Sequence, residues 1–161
     1  MKKLLFVCLG NICRSPAAQG VMQHLVDEAG LSNQYAIDSA GMGPWHVGQL
    51  PDHRMRRCGA RHGYAFNHIA RQVTPSDFDA FDYICLMDEE NLHDILRLRP
   101  TAEQQQKLLL MKDFLTRHPR FQEIPDPYYG NDRDFDLVIE LLEDACQNLL
   151  QWLQKQESGV G

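Results

Sequence analysis

Leu4-Leu5-Phe6-Val7-Cys8-Leu9-Gly10-Asn11-Ile12-Cys13-Arg14-Ser15-Pro16 is an apolar run that empties into a loop bounded by a cysteine and an arginine. From Lys3 to Cys8 the run shows no polar alternation, the mark of a strand buried on both faces of a parallel sheet. Five residues between Cys8 and Arg14 let the backbone curl with its N–H groups inward, and such a nest binds an anion. Ser15 suits the cap of a following helix and Pro16 its first turn, so the helix N-terminus faces the same anion. The guanidinium of Arg14 is a planar fork that matches two phosphate oxygens. At the floor of this cup, positive surroundings favour the thiolate of Cys8 over its thiol. Leu9, Gly10, Asn11, Ile12, Cys13, Arg14 and Ser15 form the expected phosphate-binding loop. The same spacing also arises by chance, and the strand before it and helix start after it are what give the motif meaning.

Outward from the loop the pattern continues to alternate. Ala18, Val21, Met22, Leu25, Val26 and Ala29 recur at helical spacing, with Gly30 as the stop. Gln34–Ser39 reads as a second strand, and Ala40-Gly41-Met42-Gly43-Pro44 as a break into a loop carrying Trp45 and His46. A short helix is predicted over Asp52–His62, ending at Gly63. A strand follows over Phe81–Met87, then a helix to about Leu98 closed by Pro100, and a fourth strand over Lys107–Met111. Residues 117–132 are irregular, with Pro119, Pro125, Pro127 and Gly130. Val138, Leu141, Leu142, Ala145, Leu149, Trp152 and Leu153 then form one apolar stripe, the signature of a helix docked on the sheet. Strands alternating with helices imply an α/β fold with a parallel sheet and right-handed crossovers. In such sheets ligands bind beyond the carboxyl ends of the strands, and Cys8 ends the first one.

Composition narrows the function classes. A chain of 161 residues is one domain, large enough for a core without disulfides or metal. The apolar run after Lys2 and Lys3 is too short for a secretory signal, and no stretch approaches a bilayer span, so the cytoplasm is expected with no membrane insertion. Cys8, Cys13, Cys58, Cys85 and Cys146 are an odd, scattered set, unlike a disulfide framework. Cys85 and Cys146 read as inert core residues, whereas Cys58 is undecided. The histidines show no metal-site spacing, and neither metal nor other cofactor is expected. A formal net charge of −6 argues against nucleic acid. Arg54, Arg56, Arg57 and Arg61 form the chief basic cluster, read as a solvated helix face before a receiver of acidic substrate.

Transfer of a phosphoryl group to Cys8 leaves an oxygen to be protonated. Asp126, stiffened between Pro125 and Pro127 and followed by Tyr128, Tyr129 and Gly130, is the candidate acid. Taken alone it is an ordinary turn aspartate.

Together, Val7–Pro16, Asp126–Gly130 and His68-Ile69-Ala70-Arg71-Gln72 resemble the low-molecular-weight protein tyrosine phosphatase family. Ser39-Ala40-Gly41, Trp45–Gly48 and Met87–Asn91 are similar to that family's segments in the same order. The resemblance implies a four-stranded parallel twisted sheet flanked by helices, over a domain of residues 1–157 with a flexible tail at 158–161. It implies Cys8 as the nucleophile that becomes phosphocysteine, Arg14 as the phosphoryl binder and Asp126 as general acid and then base. Asn11, Ser15 and His68 would support the loop. Trp45, Tyr128 and Tyr129 would wall the cleft around an aromatic ring. It implies phosphotyrosine-containing proteins as substrates, a tyrosine kinase among the classes, and a monomer or weak dimer. Cys13, inside the loop, is the candidate redox partner for an oxidised Cys8. The alternatives are a thioredoxin-coupled arsenate reductase on the same fold, a cysteine phosphoryl carrier, and a catalytically dead phosphopeptide-binding module. Phosphotyrosine hydrolysis against arsenate turnover separates the first from the phosphatase.

Overall fold

The computed structural model describes residues 1–159. Four parallel strands, β1 (Lys2–Cys8), β2 (Tyr35–Gly41), β3 (Tyr83–Leu86) and β4 (Leu108–Leu110), lie in the order β2-β1-β3-β4. The helices are α1 (Arg14–Glu28), α2 (His53–Arg61), α3 (Asp77–Ala80), α4 (Glu89–Leu96), α5 (Ala102–Gln105) and α6 (Asp132–Glu157), with a 3₁₀ turn at Met111–Phe114. The expected four-stranded parallel sheet is present. The single turns α3 and α5 and the 3₁₀ turn carry too little periodicity to be read from sequence.

The apolar run of β1 is explained by burial on both faces. Leu4, Phe6 and Cys8 join the core built with α1 and α6, whereas Leu5 and Val7 join a smaller core with Phe78, Ile84, Leu86 and Ile95. Helix α6 supplies Val138, Leu141, Leu142, Ala145, Leu149 and Leu153 to the larger core, as its stripe predicts. Its start is fixed by a reciprocal cap in which Asn131 and Asp134 each accept the other's backbone N–H.

Strands β3 and β4 are shorter than the expected Phe81–Met87 and Lys107–Met111, and two further differences shape the site. Strand β2 continues through Ala40 to Gly41, because Cys8 pairs with Gly41 at the end of the ladder. Gly41 must be glycine for a steric reason: a Cβ there would stand 3.0 Å from the backbone of Gly10 and Asn11. Helix α1 starts earlier than expected, at Arg14, with Cys13 at its N-cap and no side chain capping it. Ser15 therefore lies inside the first turn, and its hydroxyl is used elsewhere. Of the expected tail, Ser158 and Gly159 continue past α6 as a turn, and Val160 and Gly161 lie outside the described residues. Among the described residues no helix is long and apolar enough to cross a membrane.

Candidate active site

The loop after β1 is turned inside out relative to ordinary backbone. The carbonyls of Cys8, Leu9 and Ile12 accept the N–H groups of Met42, Gly43 and Asp52, all from outside the loop. No N–H from Gly10 to Arg14 has an acceptor among the described residues, so these donors are free to meet an anion.

Asn11 holds this shape. Its φ of 58° is left-handed, a conformation Asn tolerates better than most residues. Its side chain is fully buried and every bond has a fixed direction. Oδ1 accepts from the Arg71 N–H at 3.0 Å and from His68 Nε2 at 3.1 Å, so Nε2 carries the imidazole hydrogen. Burial lowers the His68 pKa, the neighbouring Arg71 lowers it further and Asp38 opposes both, which keeps the ring neutral. Nδ2 of Asn11 donates to Ser39 Oγ at 3.0 Å and to Ser15 Oγ at 2.7 Å. A thiolate at Cys8 can only accept, so beside it Ser15 turns its own hydrogen to Cys8 Sγ at 3.0 Å rather than to the Ala40 carbonyl at 3.5 Å. The Ser15 N–H also points at Cys8 Sγ, at 3.4 Å. Donors therefore run in one direction from His68 and Arg71 to the sulfur, which suits a thiolate. Asn11→Ala removes the hub and strands several buried partners. We expect a loss of about 2–3 kcal/mol of stability, measured by denaturation, with weakened phosphate affinity.

Arg14 is aimed by two tethers. Its Nη1 donates to Asp88 at 2.5 Å and to the Ile124 carbonyl at 3.1 Å. Burial lowers its pKa, but the negative Cys8, Asp88 and Asp126 outweigh this, so it holds its proton more tightly than usual. Asp88, the N-cap of α4, was not singled out by its sequence. The available signal was positional, since it follows β3, the neighbour of β1, at the same end of the sheet.

The Ile124 tether also positions the distant acid. The Ile124 N–H bonds the Met87 carbonyl at 2.9 Å, which pins the irregular segment to the end of β3 two residues before Asp126. Oδ1 of Asp126 accepts the Tyr128 N–H at 3.1 Å, and Oδ2 lies 3.7 Å from Arg14 Nη2. Cys8, Arg14, Asp126, Trp45, Tyr128 and Tyr129 line one cleft of about 320 Å³, together with Leu9, Gly10, Ile12 and Cys13. His46 also lines it and was not assigned there from sequence. Asn11 and Ser15, themselves loop residues, and His68 brace the loop through the hydrogen bonds above rather than lining the cleft.

The basic cluster has another use. Arg57 pairs with Asp132 at 2.7 Å and Arg61 with Asp136 at 3.3 Å, while Arg56 bonds the Pro51 carbonyl. Arg54, held by Asp52, lies 5.5 Å from the Tyr128 ring and 4.7 Å from that of Phe135. Arg57 and Arg61 thus link α2 to the start of α6 in a seam, while Arg56, Arg57 and Arg61 stay exposed, as a solvated face does, and Arg54 backs the cleft wall. Cys58 is fully buried in that seam; Cys85 and Cys146 are buried core residues, and burial pushes the Cys85 thiol up to about 12. Among the described residues no three His, Cys, Asp or Glu side chains converge on a metal position.

Comparison with known proteins places this geometry. The family described as low molecular weight phosphotyrosine protein phosphatase matches residues 3–159. The chicken protein of that name is 44% identical, over 94% of this chain and 95% of its own. The human protein of that name is 42% identical, over 93% and 94%. The crystal structure of an Entamoeba histolytica protein tyrosine phosphatase superposes with a TM-score of 0.93 at 46% identity, covering 98% of this chain and 99% of that one. Matched along nearly its whole length at this identity, the chain belongs to the low molecular weight phosphotyrosine protein phosphatase family.

Proposed function

We propose that this chain hydrolyses phosphotyrosine in proteins through a phosphocysteine intermediate on Cys8, with Asp126 as general acid and then base. The observation that carries the reading is the convergence of Cys8, Arg14 and Asp126 in one cleft with outward-turned carbonyls and unengaged loop N–H groups.

The phosphate dianion seats on the loop donors and on the free side of Arg14, which the Asp88 and Ile124 tethers leave facing the cup. The Cys8 thiolate attacks phosphorus; the S–P bond forms as the P–O bond to the tyrosyl oxygen breaks. Asp126 gives its proton to that oxygen, and tyrosine leaves. Asp126, now a carboxylate, takes a proton from a water that attacks phosphorus. The S–P bond breaks, phosphate departs, and the returning thiolate is met by the Ser15 hydroxyl and N–H. Trp45, Tyr128 and Tyr129 face the ring, and the cleft suits an aryl phosphate.

Cys13 does not compete as nucleophile. Burial, together with the negative Cys8, Asp52 and Asp126, holds its thiol well above the ordinary range. The same residue suits a guard role. Peroxide converts the Cys8 thiolate to sulfenic acid, the Cys13 thiol attacks that sulfur, and a disulfide forms with loss of water. Loss of the Cys8 charge removes one of the influences that hold the Cys13 proton. We expect Cys13→Ser to keep turnover but to lose most thiol-reversible recovery after mild peroxide, with over-oxidised Cys8 seen by mass spectrometry; equal recovery would refute the guard.

An arsenate reductase needs further cysteines to relay a disulfide. Cys58 and Cys85 are buried in different places, the α2–α6 seam and β3, which favours the phosphatase. A carrier or a binding module has no use for Asp126. The odd, scattered set of five cysteines suits a reducing, cytoplasmic setting. The discriminating experiment is hydrolysis of an aryl phosphate and a phosphotyrosine peptide with EDTA present, against thioredoxin-coupled arsenate turnover. Hydrolysis alone supports the reading, and arsenate turnover alone overturns it.

A further inference from the structure

Exposed apolar surface on this molecule gathers beside the cleft. Trp45 is 64% exposed, Val47 55%, Leu50 45% and Ile69 51%. Segment 44–50 closes on itself through the Val47 N–H to the Pro44 carbonyl and the Gln49 N–H to the His46 carbonyl. Ile69, distant in sequence, is drawn alongside by two backbone bonds of 2.9 Å, from Gly48 N–H to the Ala70 carbonyl and from Ala70 N–H to the Gln49 carbonyl. The Trp45 ring lies on Gly43, where a Cβ would stand 1.9 Å from it, so the indole is both exposed and held. An exposed apolar patch of this kind marks an interaction surface. A second bank is different: a groove sharing Leu9, Arg14 and Asp126 with the cleft, but not Trp45, is lined by Asp88, Glu89, Glu90 and Glu123.

A phosphotyrosine in the cleft brings its flanking residues within reach of both banks. The acidic bank offers apolar side chains nothing, and the bank from Trp45 to Ile69 offers them a dry surface. We propose that Trp45, Val47, Leu50 and Ile69 form a docking strip for apolar side chains on one side of the substrate phosphotyrosine. The strip thereby selects protein segments in which leucine- or valine-type residues flank that tyrosine. The inference rests on the phosphotyrosine hydrolase reading above.

The test uses the full chain, a Val47→Ser/Ile69→Ser double variant and a Leu96→Ser control at an exposed leucine outside the cleft. All three exposed sites tolerate polar residues. Substrates are phosphotyrosine peptides with leucines before the tyrosine, with leucines after it, or with serines on both sides, and a small aryl phosphate. The parent is expected to favour one leucine series over the serine series by about tenfold in kcat/KM, the low end of apolar-pocket discrimination. The double variant loses that preference and keeps aryl phosphate turnover, and Leu96→Ser changes neither. Equal rates on all peptides, or a preference that survives in the double variant, overturn the strip alone. A parallel fall in aryl phosphate turnover overturns it too, since the two substituted residues stand outside the catalytic machinery. Self-association that the double variant abolishes, without a peptide preference, reassigns the surface to a second copy. A parent that clears aryl phosphate but no peptide overturns the underlying reading.

Discussion

Cys8→Ser is expected to cut turnover by about 10⁵–10⁶-fold, the scale on which removal of a covalent nucleophile falls in other enzymes, while phosphate and vanadate still bind. The two outcomes separate because different atoms are responsible. Sulfur supplies the nucleophile, and a serine hydroxyl there stays protonated despite the same hydrogen bonds from Ser15. The anion, by contrast, is held by loop N–H groups and by Arg14, whose tethers to Asp88 and Ile124 do not involve Cys8. Hydrolysis of an aryl phosphate in EDTA and calorimetric titration with phosphate measure both. Substantial residual turnover would remove Cys8 from the chemistry, and lost binding would mean that the cup depends on the sulfur for its shape.

Asp126→Ala is expected to slow hydrolysis of a tyrosyl phosphate by roughly 10²–10⁴-fold, the usual range for general acid–base catalysis. The loss should shrink for an aryl phosphate whose leaving oxygen is already a weak base, because that oxygen needs less protonation to depart. This contrast isolates proton donation from binding. It follows from the local geometry: Oδ1 is tied by the Tyr128 N–H, so Oδ2, beside Arg14, is the oxygen that faces the reacting group. Single-turnover rates with a poor and a good leaving group decide the point. Equal losses for both would make Asp126 a binding residue instead.

The catalytic loop was legible because its information is local. An unbroken apolar run, a loop of fixed length and a helix start lie within thirteen consecutive residues, and folding only had to join them. Asp126 was legible by its proline frame and following aromatics, although its distance in sequence hid how it reaches the cup. That depends on Ile124, whose N–H and carbonyl bind Met87 and Arg14 at once, and no pattern in the chain announces two such bonds. Asp88 was missed for the same reason.

Ser15 does not cap α1 as expected, for a different reason. A hydroxyl at a helix start can bond the backbone or a partner in space. Here Asn11 and Cys8 lie close enough to take it from the cap. The partners of Arg57 and Arg61 were not legible because Asp132 and Asp136 come about seventy-five residues later and meet them only once α6 docks. Pattern reveals elements and local motifs, whereas pairings across the sheet edge appear only when the strand order β2-β1-β3-β4 is known.

The proposed cycle requires a covalent phosphoryl group on Cys8. Rapid acid quench of the enzyme turning over an aryl phosphate, followed by peptide mass spectrometry, tests it most directly. A phosphate adduct is expected on the peptide carrying Cys8, absent from Cys8→Ser and longer-lived in Asp126→Ala. An adduct on another residue, or full turnover with no adduct at any quench time, would contradict it.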